Sequence, residues 1–119
     1  MSKQLRGDIY LADLGYQSGS IQGGCRPVLI VQNNKGNEYA PTTIICPITS
    51  ATKTRLPTHV YLSASGGLAK ESIVLCEQIT TINKEQLKEY LGTINEPSIL
   101  AKVNRALNIS LGLTEECFI

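Results

Sequence analysis

No apolar stretch in this chain approaches the ~18 residues needed to cross a bilayer. Residues 1–7, MSKQLRG, lack the apolar core of a secretory signal. Both absences point to a cytoplasmic protein. Charge of one sign is scarce too: 11 Lys and Arg against 10 Asp and Glu leave a net charge of +1. A protein that grips nucleic acid through its bulk field is visibly basic, so any nucleic-acid role here must rest on a few cations focused in a groove. There is one histidine, His59, which excludes a two-histidine acid–base pair within one subunit. The four cysteines, Cys25, Cys46, Cys76 and Cys117, are far apart and form no C-x-x-C pair. None stands in metal-ligand spacing to His59, so a zinc site is not expected. In a reducing cytosol they are four free thiols. Cys46 and Cys76 lie in apolar runs, where cysteine behaves as a small hydrophobe.

What remains is an ordinary globular composition, with 119 residues, 42% hydrophobic and 18% charged, enough for one domain with a modest core. No repeat, low-complexity tract or linker divides it, so residues 1–119 form a single domain. Short β-branched runs predict strands at Ile9–Ala12, Pro27–Val31, Thr42–Ile48, His59–Leu62 and Ser72–Ile79. Residues 15–24 are a Gly/Ser/Gln-rich loop, and residues 33–37 carry turn chemistry. Pro47 cannot donate to a ladder, which predicts an edge or a bulge in the third strand. Residues 83–94 begin like a helical turn and continue as either helix or strand. At the end of the chain Asn95 can cap a helix that has Pro97 in its first turn. Its apolar face is Ile99, Leu100, Val103, Leu107 and Leu111, and Gly112 stops it. Five or six short strands and one terminal helix favour a small, strongly bent barrel with the helix packed on it.

Candidate chemistry concentrates in two segments. In Gln22-Gly23-Gly24-Cys25-Arg26-Pro27 a glycine pair leads to an arginine at the start of a buried strand. That arrangement suits close backbone approach to a ligand and a guanidinium fork on a phosphate. Taken alone, a turn with a surface arginine explains it as well. In Pro47-Ile48-Thr49-Ser50, hydroxyls end a strand, where they can bond a phosphate oxygen but more often satisfy backbone. Cys25 with His59 is a rival nucleophile–base pair, since Arg26 beside Cys25 would favour the thiolate, although no protease signature surrounds either residue. Of the five tyrosines, Tyr16 in the glycine-rich loop is the one suited to stacking on a base. Lys53 and Arg55 can serve phosphates.

In order and spacing these segments resemble the MazF/PemK toxins. Gly7-Asp8-Ile9-Tyr10 and the run from Gln22 to Asn33 are similar to the opening of that family. Pro47-Ile48-Thr49-Ser50, Leu56-Pro57-Thr58-His59-Val60, and Gly67-Leu68 through Ser72 to Ile82 resemble its later blocks. The likeness covers nearly the whole chain. It implies a mainly β fold with a C-terminal helix, an SH3-like small β-barrel of the MazF/PemK/CcdB kind. It implies a homodimer, cleavage of single-stranded RNA at short sequence motifs, and control by a cognate antitoxin; because Gly23, Gly24, Arg26 and Thr49 offer no carboxylate cage, the cleavage is expected to be metal-independent, with no cofactor. It makes residues 87–94 a strand. It places the catalytic pair at Arg26 and Thr49, and RNA contacts at Tyr16, Ser20, Gln22, Gly23, Gly24, Ser50, Lys53, Leu56, Pro57, Glu77 and Gln78. Relatives often carry Glu immediately before the Gln-Gly-Gly block, where this chain has Ile21, so the cleavage motif is expected to differ.

RNA supplies its own nucleophile, the 2′-OH next to the scissile phosphate, so the protein has to align it and stabilise charge on the phosphorane. Arg26 keeps its proton at neutral pH and suits an electrostatic clamp, while Thr49 can hold a phosphate oxygen. Attack by the 2′-OH leaves a 2′,3′-cyclic phosphate and a 5′-OH. The rival class is a binding module of the same fold that occupies RNA or a protein partner without cutting, or a toxin that poisons a topoisomerase.

Overall fold

The computed structural model describes residues 3–50, 55–64 and 67–114. In chain order the elements are β1 (Asp8–Asp13), β2 (Cys25–Ile30), α1 (Asn34–Tyr39), β3 (Thr42–Ser50), β4 (His59–Leu62), β5 (Ser72–Leu75), β6 (Thr80–Asn83), β7 (Leu87–Thr93) and α2 (Pro97–Ser110). Single 3-10 turns cover Cys76–Gln78 and Lys84–Gln86. The hydrogen-bonded order is β4-β5-β3-β2-β1-β7, with β6 also paired to β3. All pairings are antiparallel. The result is a mainly β, barrel-like fold with a C-terminal helix. Among the described residues the path stays open between β4 and β7.

β3 organises the whole arrangement. Its first half pairs with β6, from Thr42↔Asn83 to Ile45↔Thr80. Its last residues, Ile48 to Ser50, pair with β5. Pro47 sits at the change of partner. The expectation of an edge or bulged strand at Pro47 is therefore corrected. β3 is interior, and proline is tolerated because on that side residue 47 falls between two ladders, where its missing N–H costs nothing.

Other expectations are adjusted by tertiary pairing. The predicted strand over residues 72–79 stops at Leu75, because the Cys76 N–H turns away to the Thr58 carbonyl at 3.0 Å. The chain resumes as β6, which raises the count to seven strands. Residues 33–37 do not form a plain turn but open α1, where the Asn33 carboxamide accepts from the Gly36 N–H at 2.8 Å as an N-cap. The terminal helix is capped by position 96 and not by Asn95. Pro97 occupies the first helical position, which makes Glu96 the preceding residue, and its side chain forms no cap bond. Leu111 is 54% exposed beyond the buried face. Gly112, with φ +71°, is the expected stop.

One core lies under α2, where Val103 and Ala106 pack with Ile9, Leu29, Cys46, Ile48, Val60, Val74 and Cys76. Cys25, Cys46 and Cys76 are free thiols, and Cys117 lies outside the described residues. A hydrogen bond with Cys76, together with burial, pushes the Cys46 thiol well above its ordinary value, so this pair is packing and not reactive chemistry. A second core on the other side joins Tyr10, Ala12, Val28, Ile30, Ile45 and Ile82. Tyr90 packs edge-on to Tyr10, with ring centroids 5.5 Å apart. No helix among the described residues is long and apolar enough to cross a membrane.

Buried Asn37 ties α1 to β3. Its carbonyl accepts from Thr43 Oγ1 at 2.8 Å and from Gln32 Nε2 at 3.0 Å, and its amide donates to the Gln32 carbonyl at 2.9 Å. Asn37→Ala strands the fully buried Thr43 hydroxyl, so urea denaturation should show a loss of about 2–3 kcal/mol. A loss within error of zero would show that water replaces the carboxamide.

Candidate active site

The site grows from the hairpin between β2 and β3. Their ladder runs from Ile30↔Ile45 to Val28↔Pro47 and stops there. Continued two residues further, that register would set Arg26 opposite Thr49, and both residues line the space that opens there instead. Past Val28↔Pro47 the strands separate, because β2 continues on β1 (Ala12↔Arg26) while β3 turns onto β5 (Thr49↔Ile73). Pro27, with no N–H, cannot extend the β2–β3 ladder. The gap is a cavity of ≈ 260 Å³ walled by Arg26 and Pro27 on one side and Ile48, Thr49 and Ser50 on the other, with Lys70 and Ser72 at its end. Arg26 Nε donates to the Gly23 carbonyl at 2.9 Å. That bond fixes the guanidinium plane. Among the described residues its terminal nitrogens have no other partner, so the fork is held ready for an anion.

The loop before Arg26 is folded back on itself. Leu14 N–H donates to the Gly24 carbonyl at 2.9 Å, and Gly24 N–H to the Gly15 carbonyl at 2.8 Å. Gly24 has φ +74°, a conformation suited to glycine. A Cβ on Gly23 would stand 2.9 Å from the Gly15 carbonyl oxygen, so this glycine is required by the loop's own packing. Gln78 clamps the same loop from across the fold. Its Oε1 accepts from Gln22 N–H at 2.8 Å, and its Nε2 donates to the Ser20 carbonyl at 2.9 Å. Gln22, Glu77 and Gln78, with Gln17, Thr80 and Gln86, line a larger cavity of ≈ 440 Å³ that also takes in Ile21 and Pro47. β3 thus passes from the wall of this amide-rich cavity at Pro47 to the wall of the Arg26 cavity at Ile48. Tyr16 stands free on the loop, 90% exposed.

Glu77, on the wall of the larger cavity, pairs with His59. His59 Nδ1 accepts from Leu56 N–H at 3.2 Å, so Nε2 carries the proton and faces Glu77 Oε2 at 3.2 Å. Glu77 Oε1 accepts from buried Thr58 at 3.1 Å. His59 is thereby committed to the turn before β4. The Cys25/His59 alternative is excluded: Cys25 lies on β2 and His59 on β4, with β3 and β5 between them.

Of the expected site residues, the structure groups Arg26, Thr49 and Ser50 in one cavity, and Gln22, Glu77 and Gln78 in the next. Gly23 and Gly24 shape the loop between them, with Ser20 on its exposed side. Pro57 lies apart, in a third cavity with Arg55 and Tyr61. Leu56 is exposed beside it. Lys53 lies outside the described residues. Sequence reasoning missed Lys70, the second cation of the Arg26 cavity. Nothing near it in the chain marks it; only the turn of β3 onto β5 brings it there. Among the described residues no group of three His, Cys, Asp or Glu side chains converges as a metal site would require.

Residues 5–111 match the model of the PemK-like, MazF-like toxins of type II toxin–antitoxin systems. The chain belongs to that family. Two curated relatives, each an endoribonuclease MazF, come from Staphylococcus saprophyticus subsp. saprophyticus and Staphylococcus epidermidis. Each is 49% identical over 110 residues, 91% of both chains. A mycobacterial endoribonuclease solved in complex with its cognate antitoxin superposes with TM-score 0.79 at 34% identity, covering 95% of this chain and 99% of that one. MazF from Deinococcus radiodurans superposes with TM-score 0.80 at 26% identity, covering 94% and 99%. In this chain Gln78 clamps residues 20 and 22 of the loop that leads into Arg26. Gln78→Ala removes both clamp bonds, and hydrogen exchange at the Gln22 amide should accelerate on the order of tenfold, the equivalent of about one hydrogen bond. Unchanged protection at Gln22 would show that the loop holds itself.

Proposed function

We propose that residues 1–119 act as one metal-independent, sequence-specific endoribonuclease domain that cuts single-stranded RNA. The observation that carries this reading is the cavity between the parted strands that Arg26, held by the Gly23 carbonyl, and Thr49 both line. It offers two cations and several hydroxyls, and no carboxylate lines it among the described residues. That inventory fits an RNA phosphate and does not fit a caged Mg²⁺, which needs one or more carboxylates to activate water. The ribose 2′-OH then attacks in line. Arg26 and Lys70 offset the charge that develops on the phosphorane and Thr49 donates to a phosphate oxygen; the new O2′–P bond replaces the P–O5′ bond, the 2′-OH gives its proton to solvent, and the 5′-oxygen takes one up from solvent to leave as 5′-OH. The amide-rich cavity around Gln22, Glu77 and Gln78 suits bases splayed from a single strand, and the exposed Tyr16 ring of the same loop is suited to stacking on one. Ile21 supplies apolar contact there in place of a carboxylate.

The family places this chain in a toxin–antitoxin pair, and the mycobacterial structural relative is solved with its cognate antitoxin. For this chain the natural inhibitor is a small antitoxin whose acidic segment enters the groove and covers Arg26. A co-crystal in which bound antitoxin left Arg26 open to RNA would defeat direct occlusion. A homodimer deepens the shallow groove and combines two modest sets of cations. An RNA substrate and an antitoxin partner support a cytoplasmic setting.

Arg26→Ala should lower cleavage on the order of 10²–10³, as loss of a preorganised charge donor does. Thr49→Ala should cost less, since a neutral hydrogen bond is weaker than a charge-assisted one. Cleavage should persist in EDTA and leave 2′,3′-cyclic phosphate and 5′-OH ends. A deoxyribose 5′ of the cut should abolish cutting while binding survives. End mapping on a long defined transcript decides it: 5′-phosphate products, or full activity in Arg26→Ala, would overturn the mechanism. No cleavage of any RNA by folded protein would favour a binding module of the same fold.

A further inference from the structure

Positive charge gathers a second time, away from Arg26. A cavity of ≈ 260 Å³ lies where the edge strand β4 meets α2, lined by Arg55, Pro57, His59, Tyr61, Lys102 and Arg105. In a chain of net charge +1, three of the 11 Lys and Arg residues surround this one cleft. Lys102 and Arg105 stand three residues apart on α2, hence on one helix face, and α2 carries no Asp or Glu from Pro97 to Ser110. Arg55 lies over the Tyr61 ring, 4.3 Å from its centroid. Stacking holds the guanidinium plane while its N–H edge stays available to an oxyanion. Among the described residues, two carboxylates near the cleft have partners of their own. Glu77 accepts from Thr58 and faces His59, and Glu71 accepts from the Tyr61 hydroxyl.

The register ties this cleft to the active-site face. Thr49 pairs with Ile73, and Ile73 pairs with Tyr61. Directly opposed residues of antiparallel strands point to one side of a sheet, so Tyr61 shares the face of Thr49, while its neighbour Val60 turns to the α2 side with Val103 and Ala106; the cleft wraps the edge of β4 and meets the active-site face at Tyr61. The two lie two strand spacings apart, about 10 Å, a short step along an RNA backbone. Building on the reading of Arg26 and Thr49 as the cleavage site, we infer that the β4–α2 cleft is a second phosphate-binding site. It holds the substrate strand outside the cut motif through Arg55, Lys102 and Arg105. Contacts of this kind position the strand and carry no base information. They let a nearly neutral protein hold a long RNA without a basic surface.

The test uses Lys102→Glu/Arg105→Glu, two exposed helix-surface changes, with Lys102→Glu alone as the milder variant. Once a cut site has been mapped in a transcript, two RNAs are made non-cleavable by a deoxyribose 5′ of the cut: one confined to the motif, the other extended on both sides. The wild type should bind the extended RNA more tightly than the short one. The double variant should lose that advantage, with the salt slope for the extended RNA falling by about 0.7 for each phosphate contact removed. Lys102→Glu should fall between. Cleavage of the short ribose-containing RNA should stay at the wild-type rate, which keeps failure here distinct from failure of the cleavage mechanism. An extended RNA that retains its advantage in the double variant would overturn the inference, as would an equal loss for both RNAs, which signals only a weakened general field. Loss of binding to an acidic peptide with RNA binding intact would assign the cleft to a protein partner instead.

Discussion

The parting of β2 and β3 beyond Val28↔Pro47 is the constraint on which the rest of the structure depends. An antiparallel ladder that continued would close side chains against one another and leave no room for a ligand. Here β2 is retained by β1, and β3 is drawn away by β5. Both departures are eased by proline, since Pro27 and Pro47 have no N–H to leave unsatisfied. The cavity between the strands is thus a consequence of sheet topology. Its walls are rigid because each belongs to another ladder, and that rigidity is what a preorganised charge donor requires.

The loop before Arg26 is held by a chain of backbone demands. Gly23 is tight against Gly15, Gly24 adopts a left-handed turn, and Gln78 pins residues 20 and 22. The Arg26 fork depends on this loop through its bond to the Gly23 carbonyl. The glycine pair thus serves the arginine first and any ligand second. Glu77, next to Gln78, links the same 3-10 turn to Thr58 and His59, so one short turn braces both the loop over the amide-rich cavity and the turn that enters β4.

Electrostatics follow the same economy. A net charge of +1 gives little long-range attraction to RNA, yet cations meet in two places: Arg26 with Lys70, and Arg55 with Lys102 and Arg105. Focusing few charges at fixed points favours placement over bulk affinity. This suits a protein that must cut at chosen sites and leave other anions alone.

Much of this was legible in the residues themselves. β1, β2, β4 and the start of β3 follow from β-branched runs, and α2 from its apolar spacing, because local pattern reports which face is buried. The order of blocks around Arg26 and Thr49 carried the family. The remainder needed the third dimension. Residues 83–94 gained strand character at β7 only through pairing with β1, and β6 exists only because β3 offers it an edge. Asn33 and Asn37 read as turn chemistry; in the structure Asn33 caps α1 and Asn37 is buried within it against Thr43. Lys70, Lys102 and Arg105 are ordinary surface cations in the sequence, since charge has no periodicity that names its neighbours. What the sequence determined by itself was β1, β2, the start of β3, β4, the terminal helix and the two catalytic candidates. Only the tertiary structure decided which cations meet, because that depends on where β3 changes partners and on how α2 lies against β4.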